Sequence, residues 1–359
     1  MELGTVRCPP QEVCARRRPE VGIKTSWWRW ARPLGGAVIL GVLFARLGGG
    51  PFVDALLATD AGTLAAAAAI AAVTTACAAW RWRLVAHGLH AELPMVAAVA
   101  ACYRAQFLNV TLPGGVLGDV DRGVHHGREL DDVGRGLRAV AWERTAGQVV
   151  LALVTVAALL LGRPFSSAPP PVPEGWLLVL IGAAVFALVL LAARWAARTG
   201  QPGVGGRVAR AMAADARSLG HPSRLVRIVL ASLAILAGHL ATFWLAARTV
   251  GMRMPLVELL PLALIVLLVA ALPFNVAGWG PREGAAAWAF AGVGAGATQG
   301  FAVAVAYGAM VFVAALPGAV LIFVGRSRRS SRSSSHGIPR KVRRGAPPAV
   351  GAGEVTLHG

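Results

Sequence analysis

The sequence has few charged residues for its length. Asp, Glu, Lys and Arg make up 14% of its 359 residues, whereas a soluble domain usually carries about 25%. Hydrophobic residues make up 56%, and the mean hydropathy is +0.61. A soluble fold could not keep so much apolar surface from water, because domains of this size leave roughly a third of their chain surface exposed. The composition therefore excludes a soluble globular protein and indicates a membrane protein.

Cysteine is also scarce, and its spacing excludes several kinds of site. The four cysteines, Cys8, Cys14, Cys77 and Cys102, form no CxxC pair and no metal-binding spacing, so a disulfide scaffold is not indicated. The sequence lacks a GxSxG nucleophile elbow and a Walker-type loop. We therefore expect no metal and no cofactor.

Long apolar runs are abundant. A transmembrane helix needs about 20 apolar residues, and such runs occupy 27–47, 62–80, 145–162, 175–193, 228–247 and 300–324. Two further runs, 94–112 and 255–272, end in Leu-Pro before a glycine-containing stretch. Proline prevents smooth continuation of a helix, and broken segments are tolerated where they are buried in protein or line a cavity. The pattern predicts an all-α polytopic membrane protein with about six full spans and two re-entrant broken hairpins.

Basic residues predict the orientation, because Lys and Arg favour the cytoplasmic side. The formal net charge is +18, and 29 of the 35 Lys and Arg fall in segments that can all be cytoplasmic. This arrangement requires the segment 94–112 to enter the membrane and return on the cytoplasmic side. The segment 255–272 must likewise enter and return on the outer side. We expect a multi-pass protein of the cell membrane with both termini in the cytoplasm.

The two ends of the chain are polar and basic. We predict a basic cytoplasmic tail over 1–33, an integral membrane domain over 34–325 and a disordered basic cytoplasmic tail over 326–359. The tails either contact an anionic lipid surface or serve only to anchor the topology. Nucleic-acid binding by the C-terminal tail is not expected, because its basic residues have no interleaved aromatic residues.

The two broken segments share a motif. Leu112–Arg122 and Leu272–Arg282 both read L-P-x-x-V-x-G-x-x-x-R, at an offset of 160 residues. Each motif has an apolar run before its broken segment and another after it, which gives repeat halves of about 62–162 and 228–324. The predicted topology places the motifs on opposite sides of the membrane. That is an inverted repeat, an architecture that commonly binds substrate near the midplane.

Ionisable residues inside a membrane are costly and need a reason. Candidate substrate-binding residues are Arg122, Asp119, Arg282, Glu283, Glu143, Arg144, Arg104, Asn109 and Asn275. Candidate hairpin-break residues are Pro113, Gly114, Gly115, Gly118, Pro273, Gly278 and Gly280. Guanidinium groups and the amides of broken helix ends suit an anionic or zwitterionic phosphate headgroup. The alternative is that these charges pair internally to hold the hairpins, Arg122 with Asp119 or Asp121 and Arg282 with Glu283.

Taken together, these motifs resemble one family. Over about residues 30–325 the chain resembles the transmembrane region of lysylphosphatidylglycerol synthases and its stand-alone relatives. The resemblance is carried by three motifs in order: LPGG…GD…R, WER-T-x-G and LP…G-W-G-x-RE. The residues on the family's motif positions are Pro113, Gly114, Gly118, Asp119, Arg122, Glu143, Arg144, Gly278, Gly280, Arg282 and Glu283. In the full-length synthases this region is regarded as a flippase for the aminoacylated lipid, so the resemblance implies a lipid flippase. No synthase domain follows the last predicted span, so we do not expect this chain to aminoacylate lipid.

Three hypotheses for the function follow. The leading one is a lipid translocase that moves a phospholipid or lipid-linked headgroup between leaflets, with Arg122 and Arg282 contacting phosphate from opposite sides. The second is a membrane subunit of a lipid-modifying transferase that needs a separate catalytic partner. The third is a non-catalytic membrane scaffold. The sequence leaves the oligomeric state open.

Overall fold

The computed structural model describes residues 41–42, 45, 49–113, 115–161, 204–272 and 279–335. Helices make up 85% of this part, and none of it forms a strand. The helices are α1 (Gly50–Leu57), α2 (Ala61–Gly88), α3 (Met95–Thr111), α4 (Leu117–Glu129), α5 (Val133–Leu161), α6 (Val204–Leu219), α7 (Pro222–Thr249), α8 (Leu256–Ala270), α9 (Pro281–Gly292) and α10 (Ala297–Ser335). The prediction of an all-α fold is confirmed for these residues.

Four of these helices, α2, α5, α7 and α10, are long and apolar enough to cross a membrane. They coincide with four of the six predicted spans, although all four begin before the predicted limits, and α2, α7 and α10 also end after them. Helix α10 continues to Ser335, past the predicted boundary at 325 of the disordered tail, because no proline interrupts the chain there. The other predicted spans, 27–47 and 175–193, the tail 1–33 and residues 336–359 lie outside the described residues, apart from a few positions near 45.

The two predicted breaks separate consecutive helices. Helix α3 ends at Thr111, and Leu112 takes an extended conformation with ψ 147°, as expected of a residue before proline. The chain turns through Gly115 at φ 61° before α4 begins. The second break falls between α8 and α9, where Pro281 occupies the first turn of the new helix. Both motifs therefore end one helix and begin another, while re-entry into the membrane remains a prediction.

The helices fall into two units of the same order, α2-α3-break-α4-α5 and α7-α8-break-α9-α10. Helices α2 and α7 pack against each other antiparallel. Arg81 of α2 bonds Ser232 of α7. Thr74, two turns before Arg81, contacts Gly238, nearly two turns after Ser232. The first helices of the two units therefore run in opposite directions. Each unit also packs on the other, through α3 against α10 and α8 against α5.

The interiors of the two units differ in chemistry. The second unit holds an apolar core whose largest members include Phe243, Phe290 and Met310. The first unit has a smaller apolar cluster around Trp82 and Val85, and beside it most of the buried charged side chains of the described residues. Because a buried charge needs a partner or a function, the first unit is where a site is expected.

Candidate functional site

A cavity of about 220 Å³ lies between helices α2, α3, α4, α5, α7 and α10. One face of α2 lines it with Ala67, Ala71, Thr74, Thr75, Ala78 and Arg81. Residues at this spacing share one side of a helix, and the face extends over about 21 Å at 1.5 Å per residue. The other walls are mostly small or apolar, and the charged lining residues are Arg81, Asp119, Arg122, Glu143 and Arg144.

Glu143 on α5 is the centre of the charged cluster. Its Oε1 accepts hydrogen bonds from Arg81 Nε at 3.0 Å and Nη2 at 2.5 Å, and its Oε2 accepts one from Arg122 Nη2 at 2.6 Å. The Glu143 side chain is 2% exposed. Arg81 also donates to Ser232 Oγ at 2.9 Å. One carboxylate thus joins α2, α4 and α5, and through Arg81 the cluster reaches α7.

Asp119 is the second carboxylate of the cluster. Its Oδ1 accepts from Arg122 Nε at 3.0 Å and from Arg144 Nη2 at 2.7 Å, and its Oδ2 accepts from Asn109 Nδ2 at 3.0 Å. Asp119 lies in the first turn of α4, where the helix dipole favours a negative charge. Asn109 Oδ1 in turn accepts from Gly118 N at 2.8 Å, so Asn109 ties the end of α3 to the start of α4 across the first break.

Two glycines make room for the cluster. A Cβ at position 118 would overlap the backbone of Ala105 on α3, so glycine is needed for the start of α4 to approach α3 this closely. A Cβ at position 147 would lie 2.7 Å from Arg81 Nη1. Glycine at 147 therefore lets the Arg81 guanidinium reach Glu143 across the surface of α5.

Arg144 differs from the other two arginines of the cluster. Its side chain is 47% exposed, whereas those of Arg81 and Arg122 are 7% and 4% exposed. Within the described part of the chain its guanidinium makes one hydrogen bond, to Asp119, while Arg122 bonds both carboxylates and lies over the Trp82 ring at 4.7 Å. Three arginines face two carboxylates, so the cavity lining carries a net charge of +1 with His239 neutral. The arrangement can bind an anion through Arg144 without disturbing the buried pairs.

The second motif forms a separate ion pair. Arg282 Nε and Nη2 donate to Glu283 Oε1 at 2.8 and 2.5 Å, and Glu283 Oε2 accepts from Gly280 N at 2.6 Å. The Arg282 guanidinium lies 5.3 Å from the Trp279 ring and 5.4 Å from the Tyr307 ring. Neither Arg282 nor Glu283 is among the residues lining the cavity. The structure therefore gives this motif the internal pairing that was the alternative interpretation of its charges.

His239 lies between the cavity and the second motif. It lines the cavity from α7, and its Nδ1 lies 3.0 Å from the hydroxyl of Tyr307, whose ring packs against Arg282. Through this pair the second motif contacts a cavity wall, although its charged residues do not enter the cavity.

The predicted site residues do not all lie at the cavity. Asp119, Arg122, Glu143, Arg144 and Asn109 meet at the cavity. Arg104 lies on α3 and is partly buried, its Nε donates no hydrogen bond to the described residues, and it does not line the cavity. Gly114, Pro273, Asn275 and Gly278 lie outside the described residues, and no group of three His, Cys, Asp or Glu side chains in the described ranges could hold a metal ion.

Arg81 is a residue of the charged cluster that the sequence analysis did not include among the candidate site residues. The predicted span ended at residue 80, and Arg81 was counted as a cytoplasmic charge beyond it. Helix α2 continues to Gly88, and Arg81 is 6% exposed, because Glu143 and Ser232 satisfy its guanidinium. A single Arg after an apolar run gives no signal that distinguishes these two environments.

The fold and the cavity together define an α-helical membrane protein with a polar site between its spans. The family model for the lysylphosphatidylglycerol synthase TM region matches residues 29–318, which is most of the chain, so the chain belongs to that family. Comparisons with curated proteins and with solved structures give no match.

Proposed function

We propose that this chain moves a phospholipid or lipid-linked headgroup between the two leaflets of the cell membrane, with the headgroup in the cavity. The observation that carries the proposal is the accessible Arg144 guanidinium in a net cationic cavity between helices long enough to span a bilayer. A headgroup crossing the hydrocarbon core needs polar partners, because unpaired charges are costly there. Family membership supports a lipid-related function.

Arg144 is the proposed phosphate-binding residue. A guanidinium has five N–H donors in a fork that matches phosphate oxygens, and one of them is used on Asp119. The buried group of Arg81, Glu143 and Arg122 would hold α5 so that Arg144 faces the cavity. In this mechanism Arg144 moves between Asp119 and the phosphate as the lipid enters and leaves.

The walls suit the remainder of a lipid. Beyond the charged cluster the cavity is lined by Ala67, Ala71, Val110, Ile235, Met310, Val311, Ala314 and Ala315. Small and apolar side chains would leave room for acyl chains and contact them without polar cost.

We further propose that the two helical units form an inverted repeat with re-entrant breaks, and that both termini are cytoplasmic with basic tails on the anionic lipid surface. The antiparallel packing of α2 on α7, with Arg81 beside Ser232, supports the inversion. Movement of one unit against the other would expose the cavity to each leaflet in turn.

The test is translocation in proteoliposomes. Wild-type protein should speed the loss of fluorescence from acyl-chain-labelled phosphatidylglycerol when dithionite reduces the outer leaflet. Arg144→Gln should lower that rate at least tenfold. Arg135→Gln is the matched control, because Arg135 lies on the same helix and pairs with Asp132, outside the cavity. Equal rates for wild type and Arg144→Gln would refute the proposed site, and a chemically modified lipid would favour a transferase.

A further inference from the structure

Most of the neutral polar groups that line the cavity already use their hydrogen-bonding protons within the protein. Thr74 and Thr242 donate to carbonyl oxygens of their own helices. Thr75 and Gln106 bond each other at 3.0 and 3.3 Å, and Asn109 donates to a carboxylate of the charged cluster. A threonine hydroxyl has a single proton, so a ligand would receive it only after one of these bonds breaks. A headgroup must therefore find its donors elsewhere in the lining.

His239 differs from these residues, because one of its ring nitrogens has a proton to offer. Its Nδ1 lies 3.0 Å from the hydroxyl of Tyr307, and Tyr307 is 4% exposed. A buried hydroxyl proton needs an acceptor, and within the described residues Nδ1 is the acceptor that this hydroxyl meets. Tyr307 therefore donates and Nδ1 accepts. A neutral imidazole carries one proton, so that proton lies on Nε2, which makes no hydrogen bond to the described part of the chain.

His239 reaches the cavity from the second helical unit. It lines the cavity from α7, whereas Arg144 lines it from α5 of the first unit. Ser232, which accepts from Arg81, lies two turns before His239 on the same face of α7, a separation of about 10 Å along the helix. The charges of Arg81 and Arg144 are within electrostatic range of the His239 ring. The Nε2–H group and the Arg144 guanidinium therefore approach the same space from different units.

A phospholipid has oxygens spaced widely enough to meet both groups. Arg144 is the proposed partner of the phosphate, and the ester oxygens towards the acyl chains lie further along the same molecule. Ile235, one turn before His239, also lines the cavity, so this donor lies beside an apolar wall of the kind that acyl chains need. A free phosphate ion offers the same acceptor chemistry over a shorter span, so the experiment includes it as a separate ligand.

We propose that His239 is a second ligand-binding residue of the cavity, whose Nε2–H donates to an oxygen of the lipid that Arg144 binds by its phosphate. Tyr307 is a positioning residue, because its hydroxyl keeps the proton of His239 on Nε2. The Tyr307 ring lies 5.6 Å from the Phe243 ring and 5.4 Å from the Arg282 guanidinium, so the second motif helps to hold it. The inference rests on the proposed function for its lipid ligand. One bound lipid then joins the two helical units.

The experiment is native mass spectrometry of the purified full-length protein in detergent, titrated with short-chain phosphatidylglycerol. His239→Leu removes the donor and should weaken binding at least about fivefold, as expected for the loss of one hydrogen bond. His239→Gln should bind within about twofold of the wild type, because its amide N–H reaches the position of Nε2. His221→Leu is the matched control, since His221 is exposed, precedes α7 and does not line the cavity; it should bind as the wild type does. Thermal melts establish that each variant is folded, and His239→Ala takes the place of His239→Leu should that variant not fold.

Tyr307→Phe separates positioning from packing, because it removes the hydroxyl and keeps the ring. It should weaken lipid binding about two- to threefold in the wild-type background and cause no further loss in the His239→Leu background. A purely structural role of the hydroxyl would weaken binding equally in both backgrounds. Inorganic phosphate at the same concentration as the lipid should not displace it, because the ion cannot span both donors or fill the apolar walls.

Binding by His239→Leu within about twofold of the wild type would overturn the inference, as would equally weak binding by His239→Gln or no lipid binding at all. Equal losses for Tyr307→Phe in the two backgrounds would overturn its positioning role. Displacement of the lipid by inorganic phosphate would show a free-anion site and overturn the inference too. Lipid binding that depends on His239, without translocation in proteoliposomes, would refute the proposed function and leave the inference standing.

Discussion

Replacing Glu143 with Gln removes the central charge of the cluster while keeping the shape of the side chain. In the wild type, Glu143 accepts three charge-assisted hydrogen bonds at 2.5 to 3.0 Å from two arginines, and its side chain is 2% exposed. After the change, Arg81 loses its charged partner, and Arg122 keeps Asp119 as a charged partner and Cys102 Sγ as a weak acceptor. Removing one member of a buried ion pair costs about 3–5 kcal/mol, and we expect that loss in the free energy of unfolding.

A double-mutant cycle measures the coupling between Arg81 and Glu143 and separates it from the cost of leaving either charge unpaired. Arg81→Met alone also removes the hydrogen bond to Ser232 and leaves Glu143 with Arg122. The pair Arg81→Met/Glu143→Gln removes both charges, so its loss should fall short of the sum of the single losses by at least about 1.5 kcal/mol. The assay is unfolding of the detergent-solubilised protein by SDS titration, followed by tryptophan fluorescence.

The control for the cycle is an exposed pair at the start of α5, the helix that carries Glu143. Arg135 and Asp132 form an ion pair with both side chains 38% exposed, and exposed pairs contribute about 0–1 kcal/mol. Arg135→Gln should therefore cost less than about 1 kcal/mol. Additive losses for Arg81→Met and Glu143→Gln, or a loss for Glu143→Gln as small as that of Arg135→Gln, would refute the assignment of Glu143 as the organising charge.

Three further predictions test the packing and the pH response. Gly147→Val places a side chain where the Arg81 guanidinium lies and should lower the free energy of unfolding by about 1–3 kcal/mol. In an Arg81→Met background the same substitution should lower it less, as measured by SDS unfolding. The side chain of Gly118→Leu overlaps the Ala105 backbone, so this substitution should lower thermal stability more than Gly251→Leu. Gly251 has a φ of +80° but no atom near its Cβ position. Equal effects would contradict the close approach of α4 to α3. Burial lowers the pKa of His126 and outweighs the opposing effect of Glu129, whose carboxylate lies 3.8 Å from its Nδ1. Stability should therefore be full above about pH 6.5 and fall by up to about 1.4 kcal/mol per pH unit below it, and His126→Phe should flatten that profile in thermal melts at pH 5 to 8.

The sequence predicted those parts of the fold that depend on local chemistry. Apolar length located the four described spans, and Leu-Pro located both helix breaks, because proline restricts the residue before it whatever the tertiary context. Pairing of Arg122 with Asp119 or Asp121 was the alternative interpretation of the first motif, and the structure has the pair with Asp119, since three residues along a helix bring side chains together. The spans 27–47 and 175–193 remain predictions.

The rest of the site depends on contacts that one sequence does not display. Arg81 pairs with a carboxylate 62 residues away and a hydroxyl 151 residues away, and neither spacing is visible as a pattern. The repeated motif also led to the expectation that Arg122 and Arg282 act alike. Their surroundings differ, because Arg282 is enclosed by Glu283 and the rings of Trp279 and Tyr307, whereas Arg122 joins the charged cluster at the cavity.

The central claim is that lipid crosses through this cavity, and blocking it is the most direct test. Ala78 faces the cavity from α2, while Val73 on the same helix faces outward and is 65% exposed. Ala78→Trp fills the cavity and should reduce phosphatidylglycerol translocation in proteoliposomes to the protein-free rate. Val73→Trp should translocate at the wild-type rate, with both variants matched for reconstitution and thermal stability. Wild-type translocation by Ala78→Trp would contradict the account.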